Sequence, residues 1–206
     1  MKVILVNGSP HAKGCTYTAL KEVEKALQKD GIETEIMQLG VKPISACIAC
    51  GKCSETGRCF IDDQVNVLLD KVHETDGFVF GSPVHFAAAS GQLASFLHRV
   101  FYGRGRVFRG KVGAAVVSCR RGGAASAFDQ INKYFTISGM PVVSSYYWNQ
   151  VHGNTPEEVM KDAEGMQTMR NLGNNMAWLL KCIGAGKENG LIIPEPEKAI
   201  KTNFIR

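Results

Sequence analysis

Apolar residues along the chain follow two different periods. In short runs they are nearly contiguous and rich in valine and isoleucine, which is typical of strands. Between these runs they recur every three or four positions, as Leu20, Val23 and Leu27 do, which is the spacing of an amphipathic helix. This alternation predicts an α/β domain with a parallel sheet. The predicted strands lie at residues 2–6, 32–39, 77–80, 112–118 and 142–147.

Capping residues indicate where several helices begin. Asp62 or Asp63 is placed to cap one helix, and Thr155 with Pro156 opens a long helix that reaches about residue 182. Further helices are predicted over residues 91–101 and 124–138. From Gly184 onward, glycines, prolines and lost periodicity predict an irregular tail. We therefore expect one domain over residues 1–182, with a cysteine-rich insert at 43–61, and a tail over residues 183–206.

Composition narrows the class of protein. The chain has 206 residues, of which 45% are hydrophobic and 21% charged, as in globular domains. A net charge of +5 without a run of five basic residues argues against nucleic acid, and no apolar stretch approaches a membrane span. The apolar N-terminal run ends too soon for a signal peptide, so seven cysteines predict a reducing, cytoplasmic location and metal or redox use.

Four cysteines lie close together with the spacing C-x2-C-x2-C-x5-C: Cys47, Cys50, Cys53 and Cys59. Thiolates are soft ligands that select iron–sulfur clusters, zinc or copper(I). The run resembles a ferredoxin ligand run, although its last gap is longer and Phe60 replaces the usual proline. We expect one 4Fe–4S cluster. A zinc site, or four reduced cysteines in a surface loop, remain the alternatives.

A phosphate signal lies where the first predicted strand ends. Residues 7–16, NGSPHAKGCT, form a turn of small and hydroxyl residues that leads into a helix. Backbone N–H groups and the helix dipole favour a bound phosphate there. Because G-x-G-x-x-G and Gly-Lys-Ser/Thr are both missing, the turn suits a terminal phosphomonoester, and a turn without ligand is the alternative. In this turn the Ser9 and Thr16 hydroxyls add to the backbone donors.

Two further loops follow the third and fourth predicted strands, whose carboxyl ends meet at the ligand-binding edge of such a sheet. Small residues and prolines in them let a flat ring approach the backbone, and an arginine can face developing negative charge. Together with the phosphate turn, the two loops predict an FMN site. The residues assigned to the ring are Ser82, Pro83, Val84, His85 and Phe86 in the first loop and Ser118, Arg120, Arg121, Gly122 and Gly123 in the second.

The segments NGSPHAKGCT, GSPVHFAAASGQLASFLHRV and SCRRGG resemble the NADPH-dependent FMN reductase branch of the flavodoxin-like fold. With the cysteine run added, residues 1–182 resemble the iron–sulfur flavoproteins. This resemblance implies a doubly wound, five-stranded parallel sheet in the order 2-1-3-4-5 with helices on both faces. It also implies FMN, a 4Fe–4S cluster, electron passage between the two, and a homodimer or homotetramer. The residues that the resemblance assigns to the FMN phosphate are Ser9, His11, Lys13, Gly14, Cys15 and Thr16.

Several positions depart from that family pattern or need separate interpretation. Cys15 stands where a small polar residue is usual, and His85 replaces a tyrosine as either a proton donor or a pocket wall. His98, at core-like spacing, is predicted to be structural. Trp148 is expected in the core, with flavin shielding as the alternative. Cys119 and Cys182 are expected to be small apolar packing residues.

These features predict an FMN-dependent oxidoreductase that passes electrons between a cluster and FMN, with the cofactors carrying the hard chemistry. NAD(P)H or ferredoxin is the expected donor, and a small molecule or a protein is the acceptor. One alternative is a cluster-free NAD(P)H-dependent FMN, quinone or nitro-compound reductase. The other is a non-enzymatic electron carrier or redox sensor. His85 is the only catalytic side chain that the sequence suggests.

Overall fold

The computed structural model of the chain describes residues 1–200 and Thr202. Its strands are β1 (Lys2–Asn7), β2 (Glu33–Gln38), β3 (Gly77–His85), β4 (Ala88–Ala89), β5 (Val112–Cys119) and β6 (Gln150–His152). Five of them are parallel and lie in the order β2-β1-β3-β5-β6, whereas β4 pairs with β3 in the antiparallel direction. The predicted flavodoxin-like sheet is therefore confirmed, with β5 and β6 in the places of the fourth and fifth strands.

Helices cover both faces of this sheet. They are α1 (Cys15–Lys29), α2 (Lys52–Thr56), α3 (Gln64–Lys71), α4 (Gly91–Arg104), α5 (Ala124–Ile137), α6 (Pro156–Lys161) and α7 (Ala163–Glu188). Helices α1, α6 and α7 pack on one face, and α3, α4 and α5 pack on the other with α2 outside α4. Asp63 caps α3 by accepting from Val65 N at 3.0 Å, which decides between the two predicted caps.

The core is split by the sheet into two layers because successive side chains of a strand point to opposite faces. In β1, Ile4 and Val6 face α3 and α4, whereas Val3 and Leu5 face α1 and α7. The first layer is rich in aromatic rings, and the Phe80 and Phe135 rings stack with centroids 5.8 Å apart. Two packed layers hold the carboxyl ends of the parallel strands at fixed positions along one edge.

The third strand is longer than predicted. It continues past residue 80 through Pro83 to His85, so half of the segment expected as a loop is strand. Proline is tolerated here because β1 ends opposite Gly81 and β4 pairs only with Val84 and His85, so β5 alone flanks Pro83. The segment then reverses at a two-residue turn into β4.

The strand predicted over residues 142–147 is wrong. Val142 makes one isolated bridge to Gly113, in which Val143 N donates to Gly113 O and Gly113 N donates to Pro141 O, both at 2.9 Å, and the chain then leaves the sheet. Tyr146, Tyr147 and Trp148 are about half exposed, so the apolar run is not a core strand. Pairing with β5 resumes only at β6, beside the last residues of β5.

The C-terminal helix begins as predicted but is divided and longer. Thr155 caps α6 by accepting from Glu158 N at 3.3 Å. Asp162 ends α6 and caps α7 by accepting from Gly165 N, and its other oxygen accepts from His152 N at 2.7 Å. The helix then runs to Glu188 rather than ending near 182, so the irregular segment starts later than expected. Residues 201 and 203–206 of the predicted tail lie outside the described residues.

Among residues 1–200 and Thr202, none of the helices combines the length and the apolar character that a membrane crossing requires.

Candidate functional site

The turn after β1 is held by a small network of hydrogen bonds. Asn7 Oδ1 accepts from Ser9 N at 3.1 Å, and Gln38 Nε2 donates to Ser9 O at 2.7 Å. Gly8 N donates to Gly81 O at 2.8 Å, and a Cβ atom on Gly8 would lie 2.8 Å from the same oxygen. Only glycine therefore permits this close approach between the turn and β3.

The helices that start at this edge differ in how they are capped. The N-cap residues of α1 and α5 are Gly14 and Gly123, and within the described chain no side chain caps either helix. In contrast, a side chain accepts from the first turn of α3, α4, α6 and α7. The first N–H groups of α1 and α5 are therefore available to an anionic group at the carboxyl edge of the sheet.

The three predicted loops meet at this edge. Thr16 Oγ1 in the phosphate turn lies 2.8 Å from Ser118 Oγ, near the end of β5 and just before the β5–α5 loop. Ser90 Oγ, after the β3–β4 hairpin, donates to Gly8 O at 2.8 Å. A Cβ atom on Gly123 would lie 2.7 Å from the Ala87 Cα, so the hairpin tip rests on the β5–α5 loop. These contacts join the three loops into one continuous rim at the carboxyl edge of the sheet.

The predicted site residues differ in exposure around this rim. The buried ones are Ser9, Thr16, Ser82 and Ser118. The half-buried ones are Gly14, Cys15, Pro83, Val84 and Gly123, and the exposed ones are His11, Lys13, His85, Phe86, Arg120, Arg121 and Gly122. The Ser82 hydroxyl supports the loop from inside, since it accepts from Ser90 N at 2.9 Å and donates to Pro83 O at 2.8 Å. The exposed cations give the rim positive charge. Assignment of these residues to FMN stays a prediction.

The tip of the β3–β4 hairpin is strained. Phe86 and Ala87 both have left-handed backbone angles, with φ of 52° and 58°, where turns of this kind favour glycine or asparagine. The left-handed region costs other residues roughly 1–2 kcal/mol each. The Phe86 side chain is fully exposed and gains no packing within the chain. Strain of this kind is often retained at functional sites.

Two thiols beside the rim are poor nucleophiles. Burial raises the pKa of the Cys119 thiol, whose Sγ lies 3.4 Å from His152 Nδ1. Burial likewise raises the pKa of the Cys15 thiol, which donates to Gly153 O at 3.7 Å. Because the thiolate is the reactive form, both thiols are inert packing groups. Cys182, in contrast, is exposed on α7, so its predicted packing role is wrong.

The four clustered cysteines line one cavity. It lies between the segment after β2, residues 59–61 and the middle of α4, and Arg99 and Tyr102 complete its wall. Cys53 packs directly against Gly103 of α4. Within the described residues, no three of the His, Cys, Asp and Glu side chains gather closely enough to hold a metal ion. The cysteines are thus brought to one cavity but not to a common coordination geometry. Four thiol donors around one cavity suit an iron–sulfur cluster, and they also suit zinc.

Cys59 is the most firmly positioned of the four. Asn66 clamps its backbone, accepting from Cys59 N at 2.8 Å and donating to Cys59 O at 3.0 Å. Arg99 donates to its sulfur from Nε at 3.3 Å and from Nη2 at 3.1 Å. The same guanidinium pairs with Asp63 and donates to Ile61 O at 2.7 Å. Burial opposes its charge, but hydrogen bonds to Asp63 and Cys59 raise the pKa of Arg99 above its ordinary value.

Helix α4 connects the cavity with the flavin rim. The cysteine segment starts near the rim, where Gln92 donates to Gly40 O and Lys42 O at 2.8 and 3.0 Å. The segment then runs back along α4. Arg99 follows the rim residue Ser90 by nine positions, a distance of about 13 Å along a helix axis. Within one chain, the cavity and the rim are therefore separate sites on one helix.

Sequence reasoning missed the two side chains that hold Cys59. His98 was predicted to be structural, but it is exposed, and the next residue, Arg99, is the buried one. Arg99 shares a face with Phe96 and Val100, so an arginine at a core position of α4 is the signal that was available. Asn66, a polar residue at a core position of α3, is a similar signal. Trp148 is not a core residue, because 52% of it is exposed.

A doubly wound parallel sheet with a phosphate turn and two ring loops at its carboxyl edge defines a flavin-binding protein of the flavodoxin-like class. The sequence profile of the NADPH-dependent FMN reductase family matches residues 1–155. The chain is 38% identical to an iron–sulfur flavoprotein of Methanocaldococcus jannaschii over 191 residues, which cover 89% of this chain and 99% of the relative. An iron–sulfur flavoprotein of Methanosarcina thermophila is 28% identical over 194 residues, covering 91% and 100%.

The chain therefore belongs to the iron–sulfur flavoproteins of the NADPH-dependent FMN reductase family, and it is a flavin-dependent oxidoreductase. Among solved structures, an NAD(P)H:quinone oxidoreductase from Methanothermobacter marburgensis superposes with a TM-score of 0.65. That alignment covers 85% of this chain and 96% of the other at 16% identity, so it supports the fold alone.

Proposed function

We propose that this oxidoreductase uses FMN and passes electrons between FMN and a 4Fe–4S cluster held by Cys47, Cys50, Cys53 and Cys59. One observation carries the proposal. A single chain combines a rim where a phosphate turn and two ring loops meet with a cavity that four cysteines line. The family supports the flavin, and the names of the relatives support the cluster.

FMN, when bound, supplies the change between two-electron and one-electron chemistry. The chain's own task is to bind and orient it. The N–H groups at the start of α1, together with Thr16, are placed to hold the phosphate. Lys13, Arg120 and Arg121 supply positive charge around the rim, where negative charge accumulates on a reduced flavin. His85 is exposed beside the ring loop, which leaves it accessible as a proton donor.

The cysteine cavity supplies four soft ligands and one fixed cation. The buried guanidinium of Arg99 lies within hydrogen-bond distance of one of these ligands, with Nη2 3.1 Å from Cys59 Sγ. NAD(P)H or ferredoxin is the proposed donor, and a small molecule or protein is the acceptor. All seven cysteines are free thiols, which supports a reducing, cytoplasmic location.

Anaerobic reconstitution tests the proposed function. We expect about four irons and one FMN per chain, since one cubane cluster contains four irons. After rapid mixing with NADPH or reduced ferredoxin, both the flavin and the cluster absorption should bleach. One zinc and no iron would contradict the cluster. That result would favour the second candidate, a cluster-free reductase of FMN, quinones or nitro compounds, which the loose placement of the four thiols also allows.

We expect the protein to be a homodimer or homotetramer with FMN near a subunit interface. Several aromatic side chains are exposed: Phe86 at the hairpin tip is fully exposed, and Tyr146, Tyr147 and Trp148, on the segment before β6, are about half exposed. A second subunit would bury these rings and cover the flavin. Light scattering after gel filtration should therefore give two or four chains per particle.

The variant Trp148→Glu should weaken this assembly and the retention of FMN together. Trp178→Glu is the matched control. Trp178 is also exposed, at 67%, but it lies far along α7, about 22 Å from the first residue of that helix. A monodisperse wild-type monomer with full FMN would contradict the interface, as would disruption by Trp178→Glu alone.

A further inference from the structure

The middle of α4 places one buried cation against one of the four cysteines. The Arg99 side chain is 1% exposed, yet it carries a full charge on a helix that is otherwise apolar on that face. A charged group in this position needs partners, because an unpaired buried charge is strongly unfavourable. Its partners are the Cys59 sulfur, the Ile61 carbonyl and the Asp63 carboxylate.

We propose that Arg99 is a positioning residue that sets the reduction potential of the cluster through two hydrogen bonds to Cys59. This inference rests on the proposed function, since it requires an iron–sulfur cluster on the four cysteines. It does not follow from the cysteine spacing, because Arg99 lies 40 residues away from Cys59 in the sequence.

The geometry explains why Arg99 acts on the sulfur and is not simply a structural ion pair. Both Nε and Nη2 face Cys59 Sγ, at 3.3 and 3.1 Å, while Asp63 is bound by Nη1 and Nη2. The N–H groups of Arg99 therefore lie closer to the Cys59 sulfur than the Asp63 carboxylate does. The carboxylate weakens the positive field, and the guanidinium fork fixes the orientation of both groups.

Reduction adds one electron to the cluster and increases the negative charge on its sulfur ligands. Hydrogen bonds to those sulfurs and a nearby positive charge stabilise the reduced form, and they raise the potential. Arg99 supplies both, from a side chain that is itself buried. A potential raised in this way makes the cluster a better acceptor for a single electron that leaves the flavin.

Variants on either side of the guanidinium should shift the potential in opposite directions. Arg99→Gln removes the charge and one of the two N–H donors, so the potential should fall. Asp63→Asn leaves Arg99 in place and removes the carboxylate that weakens its field, so the potential should rise. Asparagine also caps helices well, so α3 keeps its N-terminal cap. Arg99→Lys keeps the charge without the fork and should lie between wild type and Arg99→Gln.

The measurement is a redox titration, followed by electron paramagnetic resonance, of anaerobically reconstituted full-length protein. Arg58→Gln is the matched control. Arg58 directly precedes Cys59, but its guanidinium pairs with Asp70 and Asp62 and is 48% exposed. The control potential should equal that of wild type, and FMN content should be unchanged in every variant.

Opposite shifts in Arg99→Gln and Asp63→Asn, with no shift in the control, support the inference. If Arg99→Gln loses its iron, the inference is tested by Asp63→Asn alone, whose reduction potential should rise. Variants that hold four irons at the wild-type potential would overturn the role of Arg99 and leave the proposed function intact. Wild-type protein that takes up no iron would overturn the proposed function itself.

Discussion

Thr16→Glu should purify without FMN, whereas the wild-type protein retains it. Thr16 is 1% exposed and lies in the first turn of α1, with its hydroxyl 2.8 Å from Ser118 Oγ. A glutamate there would put a carboxylate where the phosphate is expected, and it would occupy the N–H groups that would otherwise bind the phosphate. Repulsion between two anions at a partly dry site leaves no favourable position for the cofactor.

Absorbance at flavin wavelengths and fluorescence of the released flavin measure this loss. Gln28→Glu is the control, because it adds the same charge to an exposed position near the end of α1. Thermal unfolding shows whether Thr16→Glu still folds. If it does not, Thr16→Val provides the test. Losing one hydrogen bond of about 1 kcal/mol should weaken FMN binding by roughly five- to tenfold. Stoichiometric FMN in Thr16→Glu would show that the phosphate binds elsewhere.

Cys50→Ala should remove iron and one-electron activity but leave FMN bound. Cys50 is exposed at the mouth of the cavity, and its sulfur makes no hydrogen bond within the described residues, so its loss should not disturb folding. A cubane cluster with three protein ligands has one iron without a thiolate and is readily lost. The flavin rim lies at another place along α4, so the two cofactors should separate cleanly.

Iron and flavin analysis of the same anaerobically reconstituted sample gives the iron content and the FMN content per chain. Cys182→Ala is the control, since Cys182 is also an exposed free thiol but lies on α7, away from the cavity. It should keep about four irons per chain. Full iron in Cys50→Ala would mean that Cys50 is not a ligand, and loss of FMN in the same variant would mean that the two sites are not independent.

The parallel sheet was predictable because its strands are contiguous apolar runs separated by amphipathic helices, a strong local signal. The fifth strand was not. Residues 142–147 have the composition of a strand, but only long-range pairing with β5 decides where a strand forms, and that pairing uses residues 150–152. The same limit applies to Pro83, which reads as a loop residue and lies in a strand because β1 ends opposite Gly81.

The candidate site was likewise predictable only where the signal is local in the sequence. The phosphate turn, the ring loops and the cysteines form short motifs, and each could be found from spacing alone. The residues that hold them could not, because they come from distant segments. Arg99 reaches Cys59 across 40 positions of sequence, and Gln38 reaches Ser9 across 29. Such contacts depend on how α4 and β2 pack, which a single sequence does not reveal.

Helix α4 begins beside the flavin rim at Ser90 and places Arg99 against Cys59 nine residues later. Each residue of a helix turns the next by about 100° and advances it by about 1.5 Å. Inserting one residue between these two positions would therefore swing the guanidinium out of the cavity and towards solvent. In evolution, the length of this stretch should tolerate no single-residue insertions or deletions. The segment between β2 and Cys47, which contains no helix or strand, is under no such restraint on its length.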